Sequence, residues 1–467
     1  MNKYNKLFKN SIIFAIGNFG SKIINLILVP FYTFYLTTNQ YGKVDLLSTM
    51  VTLFVPIISI SISEAVLRFV MSKEEDTKMI LTNSILVFFT VFIGLALFYP
   101  LLKYFNYFSG LESFFVAILL LQILQTIFSQ FIRGIGKVRI YALNGLIFTL
   151  TLGISNVYLL SFLKIGLDGY FYSLIIANFI SVLFLFFIGK IYIFIDFSSF
   201  NVPIIRKMLR YSIPLIPNSI MWWLVDGANK FLVLFFLGVS SNGLFAVASK
   251  IPTILSTLSS IFNQAWQLSA IEEYDSNNKT KFYSAIFMLY SQALFIVSSF
   301  ILIILKPLYV YAISDNFFES WKLVPFLLLS VIYSSYSVFL GTNYIAAKNT
   351  KGVMGTTLVG ALTNIILNCI FIPYFGVISV GISSSIGFFL VFLMRLKQTE
   401  KYVKINISLK TMFTDHLFFF VELTLLFFLK GTRLIIFQII IYSLYIFLKQ
   451  RIIKKGLMFI FSKKNHI

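Results

Sequence analysis

Two charged residues, Asp226 and Lys230, lie four positions apart in an apolar stretch of the sequence. Residues with this spacing share one face of a helix, so the two side chains would act together. Polar and charged groups are costly at bilayer depth, and their default place is a protein-enclosed, wet cavity. The next apolar stretch carries polar residues at steps of four and three: Ser249, Thr253, Ser256, Ser260, Asn263 and Gln267. We therefore expect residues 211–270, which also include Lys250, to handle a polar or anionic ligand.

The composition predicts that these residues lie in membrane-spanning helices. The chain has 467 residues, of which 58% are hydrophobic and only 12% are charged, and its mean hydropathy is +0.90. Soluble proteins carry roughly 25% charged residues. The apolar runs are about 20 residues long, the length that crosses a bilayer, and they are continuously apolar rather than alternating. The sequence predicts an all-α polytopic membrane protein.

We predict about fourteen transmembrane helices and a cytoplasmic N-terminus. This orientation puts most of the 38 Lys and Arg residues on the cytoplasmic side, as the positive-inside rule requires. It also puts the C-terminus in the cytoplasm. The predicted spans are 11–35, 44–70, 79–102, 113–132, 141–162, 167–188, 212–237, 243–269, 283–305, 321–346, 353–373, 376–395, 412–429 and 433–449.

The net charge of +21 does not indicate a nucleic-acid partner. The basic residues cluster in short connectors and at both termini, where they set topology beside anionic headgroups. One cysteine, Cys369, and two histidines, His416 and His466, provide neither a disulfide framework nor a metal site. We therefore predict no metal site and no cofactor, with coupling to a proton or sodium ion left open, and we also predict no catalytic residues.

A weak internal repeat predicts the domain organisation. Residues 34–47 resemble residues 235–248, with Leu36 and Gly42 recurring as Leu237 and Gly243. The simplest arrangement has a six-helix lobe in residues 1–200, a second in residues 201–398, and a helix pair with a basic cytoplasmic tail in residues 399–467. Six spans are an even number, so the two lobes would be parallel repeats.

Three stretches carry a family resemblance. They are P-L-I-P-N-S-I-M-W-W-L-V-D-G-A-N-K-F-L-V (214–233), I-F-N-Q-A-W-Q-L-S-A (261–270) and F-A-I-G-N-F-G-S-K-I-I-N-L-I-L-V-P-F-Y-T (14–33). They resemble the polysaccharide flippases, the O-antigen and capsule repeat-unit translocases of the multidrug/oligosaccharidyl-lipid/polysaccharide exporter superfamily. The likeness runs over most of residues 10–395.

The resemblance implies both a fold and a function. It implies two six-helix bundles around a central cavity, with helices 13 and 14 appended. It also implies alternating access that moves a polyprenyl-diphosphate-linked oligosaccharide repeat unit from the cytoplasmic to the outer leaflet of a bacterial inner membrane. The expected partners are this lipid-linked sugar, membrane lipids, and a polymerase or other polysaccharide assembly proteins.

The resemblance also points to binding residues. In related flippases, cavity cations on the first, second and seventh or eighth spans are thought to hold the diphosphate. The corresponding candidates here are Lys22, Arg68, Lys230 and Lys250. A lysine supplies the charge but not the bidentate fork of an arginine. The further cavity or coupling residues that we predict are Asn18, Asn25, Glu64, Asn218, Trp222, Asp226, Gln264 and Gln267.

Each assignment has an alternative. Glu64 and Arg68 could form an internal ion pair, and the lysines could snorkel to the interface. Asp226 could neutralise Lys230, or it could bind a coupling proton or sodium ion. Trp222 could be an interfacial anchor or a platform for a sugar ring. An inside-negative potential could itself drive an anionic head outward, at about 2.3 kcal/mol per charge per 100 mV.

Two other functions compete with the flippase hypothesis. A cation-coupled small-molecule exporter of the multidrug type could use the same fold, but it would need an acidic cation site. A membrane glycosyltransferase or polymerase would need catalytic residues on a sizeable outer loop, and the largest predicted one spans only residues 306–320. The excess of cations within the spans favours an anionic cargo.

Overall fold

The structure is a computed structural model that describes residues 20–72, 74–106, 110–347 and 351–462. Within these ranges it does not describe the side chains of residues 218, 221, 222, 224–226, 268, 272, 345, 351 and 451–462. All regular secondary structure of the described residues is helical. Twelve helical segments among these residues are long and apolar enough to cross a membrane. The prediction of an all-α polytopic membrane protein is confirmed.

The α-helices of the described residues are numbered here in chain order. They are α1 (20–35), α2 (Thr38–Ile58), α3 (Ile62–Ser72), α4 (Thr77–Phe105), α5 (Glu112–Gly134), α6 (Val138–Asn156), α7 (Leu167–Phe187), α8 (Val202–Ser212), α9 (Ile216–Ala248), α10 (Lys250–Glu272), α11 (Lys279–Ala312), α12 (Val324–Ala346), α13 (Lys351–Phe375), α14 (Ile378–Thr399), α15 (Leu409–Phe428) and α16 (Gly431–Ser462).

The count of fourteen spans stays a prediction. The predicted first span, 11–35, is described only from residue 20. Helix α10 occupies the predicted eighth span, but it is not among the twelve apolar helices. Its polar line lowers its hydropathy, because serine, threonine, asparagine and glutamine positions interrupt the apolar sequence. Each of the remaining twelve predicted spans overlaps one of the helices that could cross a membrane, but 44–70 and 212–237 overlap Thr38–Ile58 and Gly227–Ala248 only in part.

Two predicted boundaries are wrong. The span predicted over 44–70 is broken between α2 and α3, where Ile60 and Ser61 adopt left-handed conformations with φ of 53° and 49°. Pro56 lies in the last turn of α2 and its carbonyl accepts the Ser61 N–H at 2.8 Å, closing the turn. The connector between the predicted spans 212–237 and 243–269 contracts to the single residue Gly238, and the residues after it are helical.

Gly238 forms the kink in α9 because it adopts a conformation that only glycine populates readily. Its φ and ψ are 80° and 179°, a region that costs about 1–3 kcal/mol for other residues. We predict that Gly238→Ala lowers the free energy of unfolding by that amount, although no atom would contact the new methyl within 4 Å. Denaturant unfolding in detergent measures the effect.

Gly355 provides the matched control for Gly238. A Cβ at Gly355 would also meet open space, but this glycine lies in the regular helix α13. Gly355→Ala is expected to stabilise the protein by about 0.5–1 kcal/mol, because alanine loses less conformational freedom in a helix. Equal effects of the two substitutions would contradict the argument from backbone conformation.

Contacts divide the chain into two units, Met1–Phe231 and Leu232–Ile467. In the first unit α5 packs against α2, α3, α4, α6 and α7. Helix α8 is amphipathic, begins with Asn201 capping the Ile204 N–H at 3.1 Å, and packs on α3 and α4. The division into lobes at 1–200, 201–398 and 399–467 stays a prediction.

The connector before α8 is held by one buried asparagine, Asn83 of α4. Its amide donates to the Ser199 carbonyl at 3.0 Å, and its side-chain oxygen accepts the Asn201 N–H at 2.9 Å. The Thr82 hydroxyl accepts the Asp196 N–H at 3.0 Å. These bonds satisfy backbone groups that a loop at the end of a span would otherwise leave unpaired.

In the second unit α12 and α14 form the closest helix pair, with α10, α11 and α13 packed around them. Arg395 of α14 is buried and holds three of these helices together. Its guanidinium donates to the Ser337 carbonyl of α12 at 2.6 Å and to the Thr356 and Thr357 hydroxyls of α13 at 3.0 and 2.9 Å. Helices α15 and α16 pack on α11.

Candidate functional site

The first unit contains a polar contact between α2 and the first part of α9. Asp45 and Thr49 are four residues apart on α2, and Trp223 and Lys230 are seven apart on α9, so each pair shares one helix face. The Lys230 ammonium lies 2.9 Å from both Asp45 carboxylate oxygens and 3.0 Å from the Thr49 hydroxyl. The Trp223 indole N–H donates to the Thr49 carbonyl at 3.0 Å. The four residues are called the Asp45–Lys230 site below.

The local sequence explains how the two helices meet. Helix α2 starts at a capping box, in which Thr37 and Gln40 bond each other's backbone N–H. Gly227 makes room on α9, because a Cβ there would lie 3.0 Å from the Trp223 ring. The indole can therefore lie along the helix and reach α2.

The site is partly buried, and this strengthens the attraction between its two charged side chains. The side chains of Lys230 and Asp45 are 22% and 12% exposed, so their attraction is screened less than that of a surface pair. An ammonium has three N–H donors, and the two carboxylate oxygens and the Thr49 hydroxyl supply three acceptors. An anion that binds Lys230 must therefore displace at least one of these three acceptors.

Other predicted residues of the first unit lie apart from this contact. Lys22 and Asn25 are exposed on α1, and Glu64 and Arg68 are exposed on α3. In the part of the chain that the structure describes, no ion pair joins Glu64 to Arg68, and no hydrogen bond joins Lys22 or Arg68 to Lys230. The internal ion pair offered as the alternative for Glu64 and Arg68 is therefore not formed there.

For four of the predicted positions the structure describes no side chain. Asn18 precedes the first described residue, and the side chains of Asn218, Trp222 and Asp226 are not described. Their assignment to the cavity or to coupling stays a prediction.

The polar line of α10, in the second unit, divides into two faces. Ser260, Gln264 and Gln267 are exposed on one face. Asn263 instead turns inward and donates to Ser259 at 3.2 Å and to the Tyr290 hydroxyl at 3.3 Å. Trp266 is also turned inward, where it is 3% exposed.

Lys250 lies half-buried at the start of α10. Trp266, whose side chain points inward, stacks on Phe339 with the ring centroids 4.2 Å apart. Its role is therefore packing inside the second unit. Lys250, Gln264 and Gln267 remain candidates for contact with a ligand.

Sequence reasoning missed Asp45 and Thr49. Asp45 lies inside the predicted span 44–70, where a carboxylate requires a partner, so a signal was present. The spacing of Asp226 and Lys230 drew attention to a local pair instead. The partner that the structure gives Lys230 is 185 residues away in sequence, and helical periodicity does not identify such a partner.

The family model for polysaccharide biosynthesis proteins matches residues 7–267, which is more than half of the chain. The chain belongs to the polysaccharide biosynthesis protein family. The matched region of this family member contains all four residues of the Asp45–Lys230 site. No curated protein matches the chain.

Solved structures of two kinds of transporter are similar to this polysaccharide biosynthesis protein. A structure of the lipid II flippase MurJ in an inward closed conformation has a TM-score of 0.71 and 16% identity, and the match covers 96% of this chain and 100% of that one. An inward-facing MATE-family multidrug resistance transporter has a TM-score of 0.62 and 12% identity, covering 82% and 95%. A point mutant of the Vibrio cholerae MATE transporter VcmN has a TM-score of 0.57 and 12% identity, covering 85% and 96%. These similarities show that the chain has a fold like that of MurJ and of the MATE transporters.

Proposed function

We propose that this protein is a flippase that moves a polyprenyl-diphosphate-linked oligosaccharide repeat unit from the cytoplasmic to the outer leaflet by alternating access. The sugar would enter O-antigen or capsule biosynthesis. Membership of the polysaccharide biosynthesis family and a fold similar to that of a lipid II flippase support the proposal. In this proposal the protein lies in the bacterial inner membrane with both termini in the cytoplasm, works beside a polymerase, and catalyses no covalent step.

The observation that carries the proposal is the Asp45–Lys230 site. Lys230 is a cation within a helical segment that could span a membrane, Gly227–Ala248, and it is still partly exposed. A charge placed in a spanning helix is costly and marks a functional site by default. Once released from Asp45, the Lys230 ammonium would attract a diphosphate, which is a strong hydrogen-bond acceptor, and would repel a cationic drug.

The geometry suggests how cargo binding could be coupled to a change of state. In the structure, Asp45 and Thr49 hold Lys230 against α2. A diphosphate brings more negative charge than one carboxylate, so it would compete for the ammonium and release α9 from α2. A ligand that binds one state better shifts the protein toward that state, and this exchange provides such a difference.

Substitution of Lys250 tests the proposal in cells. We predict that Lys250→Ala is inserted in the membrane at normal levels but restores little surface polysaccharide to cells that lack the protein. A hydrogen bond to a charged group contributes about 1.5–3 kcal/mol, which corresponds to a loss of roughly tenfold or more. Quantitative staining of surface polysaccharide and of the accumulated lipid-linked sugar measures the result.

Lys404→Ala is the matched control, because the Lys404 side chain is 65% exposed in the loop before α15. This variant should restore polysaccharide fully. Full restoration by Lys250→Ala would remove Lys250 from the proposed cation set.

A multidrug-type exporter is the second candidate, because the fold is also similar to that of MATE transporters. It predicts cation-dependent efflux of a cationic dye from cells, and normal surface polysaccharide in cells without the protein. The flippase proposal predicts the opposite for both measurements.

A further inference from the structure

Helices α11, α15 and α16 enclose the carboxyl group of Glu422, which forms no ion pair with any of the described residues. Glu422 of α15 is 0% exposed, and in the described part of the chain neither of its carboxyl oxygens has a hydrogen-bond partner. Most buried carboxylates are paired or hydrogen-bonded, because an isolated charge in an apolar interior costs far more than the fold can offset. This group therefore needs an account of its own.

The groups around Glu422 are polar but uncharged. The Gln438 amide of α16 donates to the Glu422 backbone carbonyl at 2.9 Å, which places the amide beside this turn of α15. The Ser299 hydroxyl of α11 lies next to the Glu422 carboxyl. Both side chains are almost fully buried, and the Ser299 hydroxyl and the Gln438 side-chain oxygen have no hydrogen-bond partner among the described residues.

The charged groups nearby are occupied elsewhere. Asp415, seven residues before Glu422 on the same face of α15, pairs with Lys449 at 2.6 Å and accepts the Tyr445 hydroxyl at 2.9 Å. His416 is bonded to the Tyr333 hydroxyl at 2.8 Å. The α11 lysine Lys306 donates to the Leu429 carbonyl, beyond the far end of α15. Among the described residues, the other titratable groups close to the Glu422 carboxyl are Tyr442 and Tyr445 of α16.

A neutral carboxylic acid fits this environment. A protonated carboxyl has one O–H donor and an acceptor oxygen. The Gln438 side-chain oxygen and the Ser299 hydroxyl, which have no partner among the described residues, are an acceptor and a donor of the kind that a neutral acid requires. An ionised carboxylate would be left with one hydroxyl donor and no cation.

A small cavity lies at the start of α15 and is lined by Asp415, seven residues before Glu422 on the same helix. A cavity of about 20 Å³, bordered by Ser291, Asn406, Ser408 and Asp415 among others, opens beside the start of α15. A cavity of roughly 10–15 Å³ holds one water. The Tyr445 hydroxyl donates to Asp415. Tyr445 lies on the same face of α16 as Gln438, seven residues earlier in the chain.

We propose that Glu422 is a proton-binding site of the C-terminal helices, loaded through the Asp415 cavity and Tyr445. The site differs from the Asp226 position suggested by the sequence for coupling. It does not depend on the identity of the cargo.

Infrared difference spectroscopy on the full chain, with and without ¹³C-labelled glutamate, tests the proposal without any cargo. The purified protein in choline buffer at pH 7 should show the carbonyl stretch of a protonated carboxylic acid. That band should shift with the label and be lost in Glu422→Gln, which keeps the shape of the side chain. Absence of the band in the wild type, or its persistence in Glu422→Gln, would overturn the proposal.

Two additional measurements test the ligand and the route. Replacing choline by sodium should leave the band unchanged, whereas its disappearance would mean that the site binds sodium and would overturn the proton assignment. Tyr445→Phe removes only the hydroxyl and should slow the deuterium shift of the band. An unchanged rate of exchange would overturn the route through Tyr445.

Discussion

Lys230→Met is expected to reduce translocation of the lipid-linked sugar roughly tenfold or more and to destabilise the protein by about 1–3 kcal/mol. The first effect follows from the loss of a hydrogen-bonded cation, and the second from leaving the Asp45 carboxylate unpaired. In the structure this carboxylate is 12% exposed and lies 2.9 Å from the ammonium. Restoration of surface polysaccharide and denaturant unfolding in detergent measure the two effects.

The double variant Asp45→Asn with Lys230→Met separates stability from function. It removes both charges, so no unpaired carboxylate remains and most of the lost stability should return. Translocation should stay low, because the cation is still absent. Normal translocation by the double variant would show that Lys230 only holds α2 and α9 together, and it would contradict the proposed contact with the diphosphate.

Lys449→Met is expected to cost about 3–5 kcal/mol of stability, the largest effect on folding that we predict. It would leave Asp415 as an uncompensated buried charge. The side chains of Lys449 and Asp415 are 4% and 1% exposed, and Lys449 also donates to the Thr414 hydroxyl at 2.7 Å. The free energy of unfolding in detergent measures the loss.

The exposed pair of Lys404 and Glu400 is the control for this prediction. Their side chains are 65% and 54% exposed at a distance of 3.1 Å, and such pairs contribute only about 0–1 kcal/mol. Lys404→Met should therefore change stability little. A loss for Lys449→Met no larger than the loss for Lys404→Met would contradict the view that the buried pair holds α15 to α16.

The sequence predicts the helices well where the apolar runs are long. The predicted spans 79–102 and 113–132 correspond to α4 and α5, which the structure places at Thr77–Phe105 and Glu112–Gly134. Burial in a bilayer demands a continuous apolar run of a defined length, so composition alone identifies such helices. The break after α2 depends instead on a local turn at Ile60 and Ser61, whose residue types do not mark it.

The candidate site is harder to predict, because its contacts join distant parts of the chain. The cation Lys230 is visible as a charge in an apolar run, but its partner Asp45 lies on another helix. On α10 the predicted line runs through Ser260, whereas the inward hydroxyl is that of its neighbour, Ser259, which lies 2.6 Å from the Tyr290 hydroxyl. The rotation of α10 about its axis decides which of these two neighbouring hydroxyls faces inward. Packing against α11 and α12 sets that rotation.

The central claim, movement of an anionic lipid-linked sugar, is tested most directly with purified protein in liposomes. The probe is a polyprenyl diphosphate that carries a short, fluorescently labelled oligosaccharide, and a membrane-impermeant quencher reports the leaflet that holds it. We predict that wild-type protein makes the probe of both leaflets accessible and that Lys230→Met does not. Movement at the same rate in liposomes with wild-type protein, with Lys230→Met and without protein would contradict the proposed function.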